Sequence, residues 1–252
     1  MSDACEGKTG KSTFILGTAL LLIFLFGCAV LIPSPQPQIT ATPITLWLIS
    51  DPKVKEAERA SFMVKARHPR GIRDGTGVWM GQGLILTAFH LIGDPATGRI
   101  VAEEIKVSQP HLGWEEGCLA KVASADSSLD LAVLKCEKIE GLPSPSFGDP
   151  DQLLPGDAIY AVGHEFFPPR GIGILYPRDG EVSENLDTFF TVSPPFIRGF
   201  SGGGVFNLNH ELVGIALRSF VIVETIEGEM VIKQGTIVRK IGFALPLLEK
   251  AR

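Results

Sequence analysis

Basic residues are in short supply in this sequence. Lys and Arg number 23 against 28 Asp and Glu, a formal net charge of −5 at neutral pH. That balance gives a polyanion little to hold, which argues against a nucleic-acid partner. Histidine is also sparse. His68, His111, His164 and His210 have no metal-ligand spacing to one another or to a cysteine, so neither a metal nor another cofactor is expected. Cysteine occurs only four times, at positions 5, 28, 118 and 136. No long helical pattern alternates with the strand-like runs described below, which speaks against a parallel α/β architecture.

What the chain does have, first, is one long apolar run. Residues 14–32 carry no charge. As a helix they would extend about 28 Å, close to the roughly 30 Å hydrocarbon core of a bilayer. They also lack the polar face of an amphipathic core helix. Lys8 and Lys11 precede the run and no basic residue follows until Lys53. The positive-inside rule then keeps the N-terminus cytoplasmic and exports the remainder.

The chain is expected to divide into a cytoplasmic tail (1–13), a transmembrane signal anchor (14–32), a Pro-rich linker and N-terminal segment (33–60), and an extracytoplasmic domain (61–252). Two fates fit the apolar run. One is a retained single-pass anchor in the cell membrane. The other is a lipoprotein lipidated on Cys28, because Leu25-Phe26-Gly27-Cys28 resembles a lipoprotein cleavage site. The bulk of Phe26 and the continuing apolar residues up to Ile32 favour the anchor. Prolines at 33, 35, 37 and 43 suit an extended spacer, and residues 53–64 have some helical character.

From Gly75 onward the texture is short β-rich runs broken by Gly, Pro and Asp. They fall at 77–80, 84–87, 104–107, 119–122 and 131–136, and after Pro143-Ser144-Pro145 at 158–162, 171–175, 189–192, 204–207, 212–217 and 221–225. Strands at this spacing suggest an all-β sandwich or barrel. The break near residue 145 divides them into two similar halves, about 61–145 and about 146–247, without a visible sequence repeat. Two small barrels fit better than one large one.

The second half contains Ser201 among Gly199, Gly202, Gly203 and Gly204, flanked by apolar residues. A tight glycine turn can present a hydroxyl and aim backbone N–H groups into one hollow, as acyl transfer requires. Upstream, His90 ends the run 83–90 and Asp130 heads the run 130–135. A serine hydroxyl is a weak nucleophile until a histidine takes its proton, and a carboxylate can hold that imidazole in the right tautomer. Asp126 is the rival carboxylate; Asp130 is preferred because it directly precedes the apolar strand.

Four stretches then carry a family resemblance: Gly75-Thr76-Gly77-Val78, Leu86-Thr87-Ala88-Phe89-His90, residues 126–135, and Gly199-Phe200-Ser201-Gly202-Gly203. Together they resemble the trypsin-like serine peptidases, and most of all the HtrA/Deg type. Residues 205–215 and Ile241-Gly242-Phe243-Ala244-Leu245-Pro246 support that branch.

The resemblance implies two six-stranded antiparallel β-barrels with a cleft between them, behind the transmembrane helix. It implies a serine endopeptidase with His90 as general base and then acid, Asp130 orienting it, and Ser201 forming the acyl-enzyme. The N–H groups of Gly199 and Ser201 would form the oxyanion hole. A polypeptide, including unfolded protein, would be the substrate in extracytoplasmic quality control, and HtrA-type proteins often form homo-oligomers. Two readings stand beside it: an inactive homologue serving as a peptide-binding or scaffolding module, and an esterase using the same groups.

Three features depart from the pattern. Phe200 stands where Asn or Asp is common, Gly204 stands where trypsin-type members carry Pro, and the sequence ends at Arg252 without the PDZ domain usual in HtrA proteins. Phe200 cannot pair with a freed N-terminal ammonium. No zymogen switch is therefore expected, and the loop should be ordered by packing of Phe200 on apolar neighbours. The specificity pocket should be apolar and suit small or medium aliphatic residues such as Val, Ala or Leu, with Arg198 and Arg218 the nearby charges that would reverse the preference toward acids. Cys118 and Cys136 would face each other in a regular hairpin centred on Ser127, and export would favour a disulfide. Two buried thiols are the alternative.

Overall fold

Asp51 caps the helix Pro52–Arg59. Its carboxylate accepts from the N–H of Lys53 at 2.7 Å and of Val54 at 3.4 Å, and Pro52 occupies the first turn, where no amide donor is needed. The computed structural model describes residues 48, 50–139, 141–167, 172–226 and 229–252. The expected anchor at 14–32, with Cys5 and Cys28, lies outside them. Among the described residues no helix is long and apolar enough to cross a membrane.

The helix, α1 (Pro52–Arg59), buries Val54 and Ala57 and ends at Ala60. The helical character expected over 53–64 therefore stops early. From Ser61 the chain becomes β1 (Ser61–His68), which lies between two other strands and buries alternate and intervening positions alike. A strand covered on both faces has no polar alternation to betray it in the sequence.

The first half continues through β2 (Gly71–Trp79), β3 (Leu84–Ala88), β4 (Gly93–Asp94), β5 (Arg99–Ile100), β6 (Glu104–Gln109), β7 (Trp114–Leu119), β8 (Lys121–Asp126) and β9 (Leu131–Lys135). Seven of them form one sheet in the order β7-β6-β1-β2-β3-β9-β8. This corrects the expectation of a closed six-stranded barrel here. The predicted strand 119–122 is broken at Ala120, whose N–H donates to Ile105 O at 2.8 Å. The chain turns a corner there, β7 pairs with β6 while β8 pairs with β9, and no ladder joins β7 to β8. Gly117 and register shifts in both pairings add to the bend.

The second half does close. It comprises β10 (Ala158–Phe167), β11 (Ile172–Asn185), β12 (Phe189–Ser193), β13 (Gly204–Asn207), β14 (Leu212–Ile226) and β15 (Glu229–Lys240), in the cyclic order β10-β11-β12-β15-β14-β13. The runs expected at 212–217 and 221–225 are one strand, β14, bent by a register shift between Ala216 and Arg218. Beyond that shift β14 and β15 form a ribbon with Val221, Val223, Met230 and Ile232 exposed.

One core cluster takes residues from both halves, including Phe62, Leu86 and Val133 with Tyr160, Phe206 and Ile215. A second fills the closed barrel around Phe190, Phe196 and Phe200. A C-terminal helix, α2 (Leu245–Ala251), returns to the first sheet, where Ser124 Oγ donates to Leu247 O at 2.7 Å.

Cys118 and Cys136 form a disulfide with their Cα atoms 6.3 Å apart. The sequence left this bond and two buried thiols as alternatives, and the geometry that forms it is not the hairpin considered there. In the β8–β9 hairpin Lys121 faces Lys135 and Ala125 faces Ala132, so the regular register drawn around Ser127 is not followed. Cys118 lies on β7 opposite Val107, and the corner at Ala120 brings it to Cys136. The bond thus clamps the corner that pairing leaves open. Replacing both cysteines by alanine is expected to cost roughly 2–4 kcal/mol, seen as a lower urea midpoint, because the closed loop would no longer restrict the unfolded chain. Alkylation of the native protein without reductant should leave both positions unmodified; labelling of both would count against the bond.

Candidate active site

The glycine turn is built by close backbone approaches. Gly199 has φ +103° and Gly202 φ +84°, a region that costs an L-residue dearly. A Cβ at Gly199 would fall on His164 O, and one at Gly202 on Thr76 O. Thr76 is the hub that fixes the turn. Its N–H donates to Ser201 O at 2.8 Å and its hydroxyl donates to Gly199 O at 2.8 Å, while the His164 N–H donates to that hydroxyl at 2.9 Å. The turn of the second barrel is thereby tied to β2 of the first sheet. Neither the Gly199 N–H nor the Ser201 N–H donates to a protein acceptor among the described residues.

Phe200, between them, is buried. It packs on Phe196 with centroids 5.5 Å apart and edge-on to Tyr176 at 5.6 Å. Gly163 leaves room for it, since a Cβ there would lie 2.7 Å from the ring. The expected apolar support for the loop is present. Tyr176, pushed up to about 12 by burial and by its hydrogen bond to Glu165, stays a neutral donor in that wall.

His90 follows β3 in a 3-10 turn, Phe89–Leu91. Arg73 Nη1 holds this turn by donating to His90 O at 2.5 Å and Gly93 O at 2.9 Å. Asp130 sits in the left-handed region, φ +57°, in the turn before β9, and is buried. Its two oxygens are divided. Oδ1 accepts the His90 backbone N–H at 2.8 Å, and Oδ2 accepts from His90 Nδ1 at 2.9 Å. A carboxylate can only accept here, so the Nδ1 proton is fixed and a neutral imidazole offers Nε2 as the base.

Burial works to raise the Asp130 carboxyl, but hydrogen bonds and charge from His90 and Arg218 outweigh it and hold the group below the usual carboxylate range. Asp126 is placed differently. Its Oδ1 accepts from Ser128 N at 2.8 Å, Ser128 Oγ at 2.6 Å and Leu129 N at 3.1 Å, a turn-stapling arrangement that lowers its own titration. The Ser128 hydroxyl is the largest cause. The structure thus brings Asp130, not Asp126, to His90.

Two further groups reach this cluster from β14. Ser201 Oγ donates to Leu217 O at 2.7 Å, and no hydrogen bond joins it to His90 among the described residues. Arg218 Nη2 donates to Asp130 Oδ2 at 3.0 Å. Arg218 was read in the sequence only as a charge near the specificity pocket; its guanidinium is instead on the buried carboxylate. Thr76 and Arg73 also escaped the sequence reading as site residues. The Gly75-Thr76-Gly77 motif was the available signal for Thr76, whereas nothing local marks Arg73 or Arg218. Among the described residues no cluster of His, Cys, Asp or Glu could hold a metal.

The family model for the trypsin-like peptidase domain matches residues 75–215, which include His90, Asp130 and Ser201. The chain belongs to that family. It is 30% identical over 189 residues to a probable periplasmic serine endoprotease, DegP-like, of Rickettsia prowazekii (strain Madrid E), across 72% of this chain and 33% of that protein. It is 32% identical over 149 residues to the periplasmic pH-dependent serine endoprotease DegQ of Escherichia coli (strain K12), across 58% of this chain and 30% of that protein. The trypsin-like domain thus spans about a third of the length of these curated relatives.

Among solved structures, the serine endoprotease from Yersinia pestis aligns with a TM-score of 0.57 at 28% identity, covering 79% of this chain and 65% of that one. The HtrA-type protease AlgW with tripeptide aligns with a TM-score of 0.58 at 20% identity, covering 78% and 61%, and speaks to the fold alone. The trypsin-like family, its HtrA branch and an all-β fold with one closed six-stranded barrel are thereby in hand.

Proposed function

We propose that this chain is a serine endopeptidase that hydrolyses polypeptides through an acyl-enzyme on Ser201. The observation that carries the reading is the pairing of His90 Nδ1 with the buried Asp130 carboxylate at 2.9 Å, beside a serine held on a left-handed glycine turn. In the reaction the Ser201 hydroxyl turns from Leu217 O toward His90 Nε2, which takes its proton as Oγ attacks the scissile carbonyl. The N–H groups of Gly199 and Ser201 would receive the developing oxyanion. His90 then protonates the leaving amine, and water repeats the sequence on the acyl-enzyme. Asp130 keeps the imidazole oriented and stabilises its charged form throughout.

The periplasmic serine endoprotease relatives support an extracytoplasmic role on polypeptides. A single-pass anchor at 14–32 and a homo-oligomer remain part of this proposal, resting on the apolar run and on family likeness. The packed Phe200 supports activity without zymogen cleavage, and the capture of Arg218 by Asp130 supports an apolar rather than acid-selecting specificity pocket.

The full chain should be labelled by a fluorophosphonate on Ser201, and a peptide-library digest should show cleavage after Val, Ala or Leu. An unlabelled serine would favour the inactive scaffold, and labelling without peptide cleavage would favour an esterase. Asp130→Asn should lower kcat by about 10⁴-fold, because the amide no longer fixes the His90 tautomer. Asp126→Asn should lose a few-fold at most. Comparable losses in the two variants would overturn the carboxylate assignment.

A further inference from the structure

The His90–Asp130 pair carries a third member that its chemistry does not demand. Arg218 donates to the same carboxylate oxygen, Oδ2, that accepts from His90 Nδ1, at 3.0 and 2.9 Å respectively. The contact spans 88 positions in sequence and depends on the bend in β14. Register is lost between Ala216 and Arg218, so Leu217 is an extra residue on its strand. One consequence is that the Leu217 carbonyl reaches Ser201 Oγ; the other is that the next side chain, Arg218, lies across the open side of Asp130. A single bulge thus contacts both ends of the triad.

We infer that Arg218 is a positioning residue that pins the Asp130 carboxylate and, through its fixed positive charge, sets the pH at which His90 becomes a competent base. This rests on the reading of His90, Asp130 and Ser201 as a triad. The Asp130 side chain is 7% exposed and that of Arg218 56% exposed, so the guanidinium closes the buried carboxylate off from solvent while staying solvated itself. Asp130 Oδ1 is already taken by the His90 backbone N–H. Without Arg218 the Oδ2 atom would keep only its bond to the imidazole. The carboxylate would then be freer to rotate and would act on His90 as a more complete negative charge.

The other charged groups around the pair differ in what they can do. Arg239, on β15, donates from Nε to Leu129 O at 2.9 Å and interacts electrostatically with both Asp130 and Asp126, but its guanidinium is committed to the backbone of that turn and to Thr188 O. Arg73, on β2, serves the carbonyls of His90 and Gly93. Asp126 is stapled into its own turn, and Asp94 caps Ala96 and Thr97. Of these cations, Arg218 is the one hydrogen-bonded to the oxygen that faces the imidazole.

The sign follows from charge. A protonated imidazole and a guanidinium on one carboxylate oxygen repel each other, so Arg218 disfavours the imidazolium. Replacing it with a neutral side chain should make His90 hold its proton to higher pH. With the guanidinium solvated, screening close to that of bulk water makes a neighbouring unit charge worth about 0.5–1 pH unit.

The experiment follows the His90 imidazole by NMR in the full chain with ¹⁵N-labelled histidine, in a Ser201→Ala background. Adding Arg218→Gln should move the His90 titration up by about 0.5–1 pH unit, and Arg218→Lys, which restores the charge, should bring it back toward the starting position. In the active chain the acid limb of kcat/KM should move the same way. A His90 titration that is identical with Arg and Gln at 218, or displaced equally by Gln and Lys, would overturn the inference. Because the NMR measurement needs no turnover, it stands apart from the triad reading, which falls instead if fluorophosphonate fails to label Ser201 in the unsubstituted chain.

Discussion

Replacing Ser201 with alanine should lower kcat by roughly 10⁵- to 10⁶-fold while leaving the fold in place. The hydroxyl makes one hydrogen bond among the described residues, to Leu217 O, so its loss removes little packing. What is lost is the nucleophile, and with it the covalent path. His90→Ala should cost about as much, because the serine then has no acceptor for its proton. The double variant should be no worse than either single one, since the two groups act in the same step. Residual turnover from substrate binding and the oxyanion donors should be equal in all three. Measured kcat values that multiply in the double variant would mean that Ser201 and His90 do not work as a unit. Unchanged thermal unfolding would separate these losses from damage to the fold.

Gly199→Ala should be among the most damaging single-methyl changes among the described residues. The residue sits at φ +103°, and the added Cβ would land on the carbonyl of His164. That carbonyl belongs to β10, paired along its length with β11, and cannot give way without disturbing the barrel. The turn must therefore move instead, taking with it the Gly199 N–H and the carbonyl that accepts from Thr76 Oγ1. Loss of one oxyanion donor lowers kcat by about 10²–10³-fold, or roughly 3–4 kcal/mol of transition-state stabilisation. KM should change much less, because that donor is used mainly when charge develops on the substrate oxygen. A Gly199→Ala enzyme with near-normal kcat would rule out Gly199 as a donor. Thr76→Val is the companion test: it keeps the backbone but removes the hydroxyl that anchors Gly199 O, and should produce a smaller loss of the same kind.

Much of the protein was legible because the features concerned are local. The run Gly199-Phe200-Ser201-Gly202-Gly203 specifies a turn that only glycine can make, and the structure has positive φ at Gly199 and Gly202. Short apolar runs between Gly, Pro and Asp specify strands, and the break near residue 145 does separate two sheets. Strand β1 was missed because its buried residues lack alternation, and β15 because only its second half, with Thr236 and Val238, enters the core while Met230 and Ile232 stay exposed. Closure of the first barrel was expected and not found, because the corner at Ala120 replaces continuous pairing.

The sequence by itself determined the strand-rich texture, the order His90, Asp130, Ser201, and the family to which those motifs belong. Each depends on residues near one another in the chain, where backbone sterics and hydrophobic period act directly. Only the tertiary structure decided that Asp130 rather than Asp126 meets His90, that Cys118 reaches Cys136 across a corner rather than a hairpin, and that Arg218 faces the carboxylate instead of the specificity pocket. Those contacts turn on strand register. Shifts of a residue at Val122/Ser124 and Ala216/Arg218 redirect the side chains that follow, and nothing in the local sequence announces a bulge whose partner strand lies far along the chain.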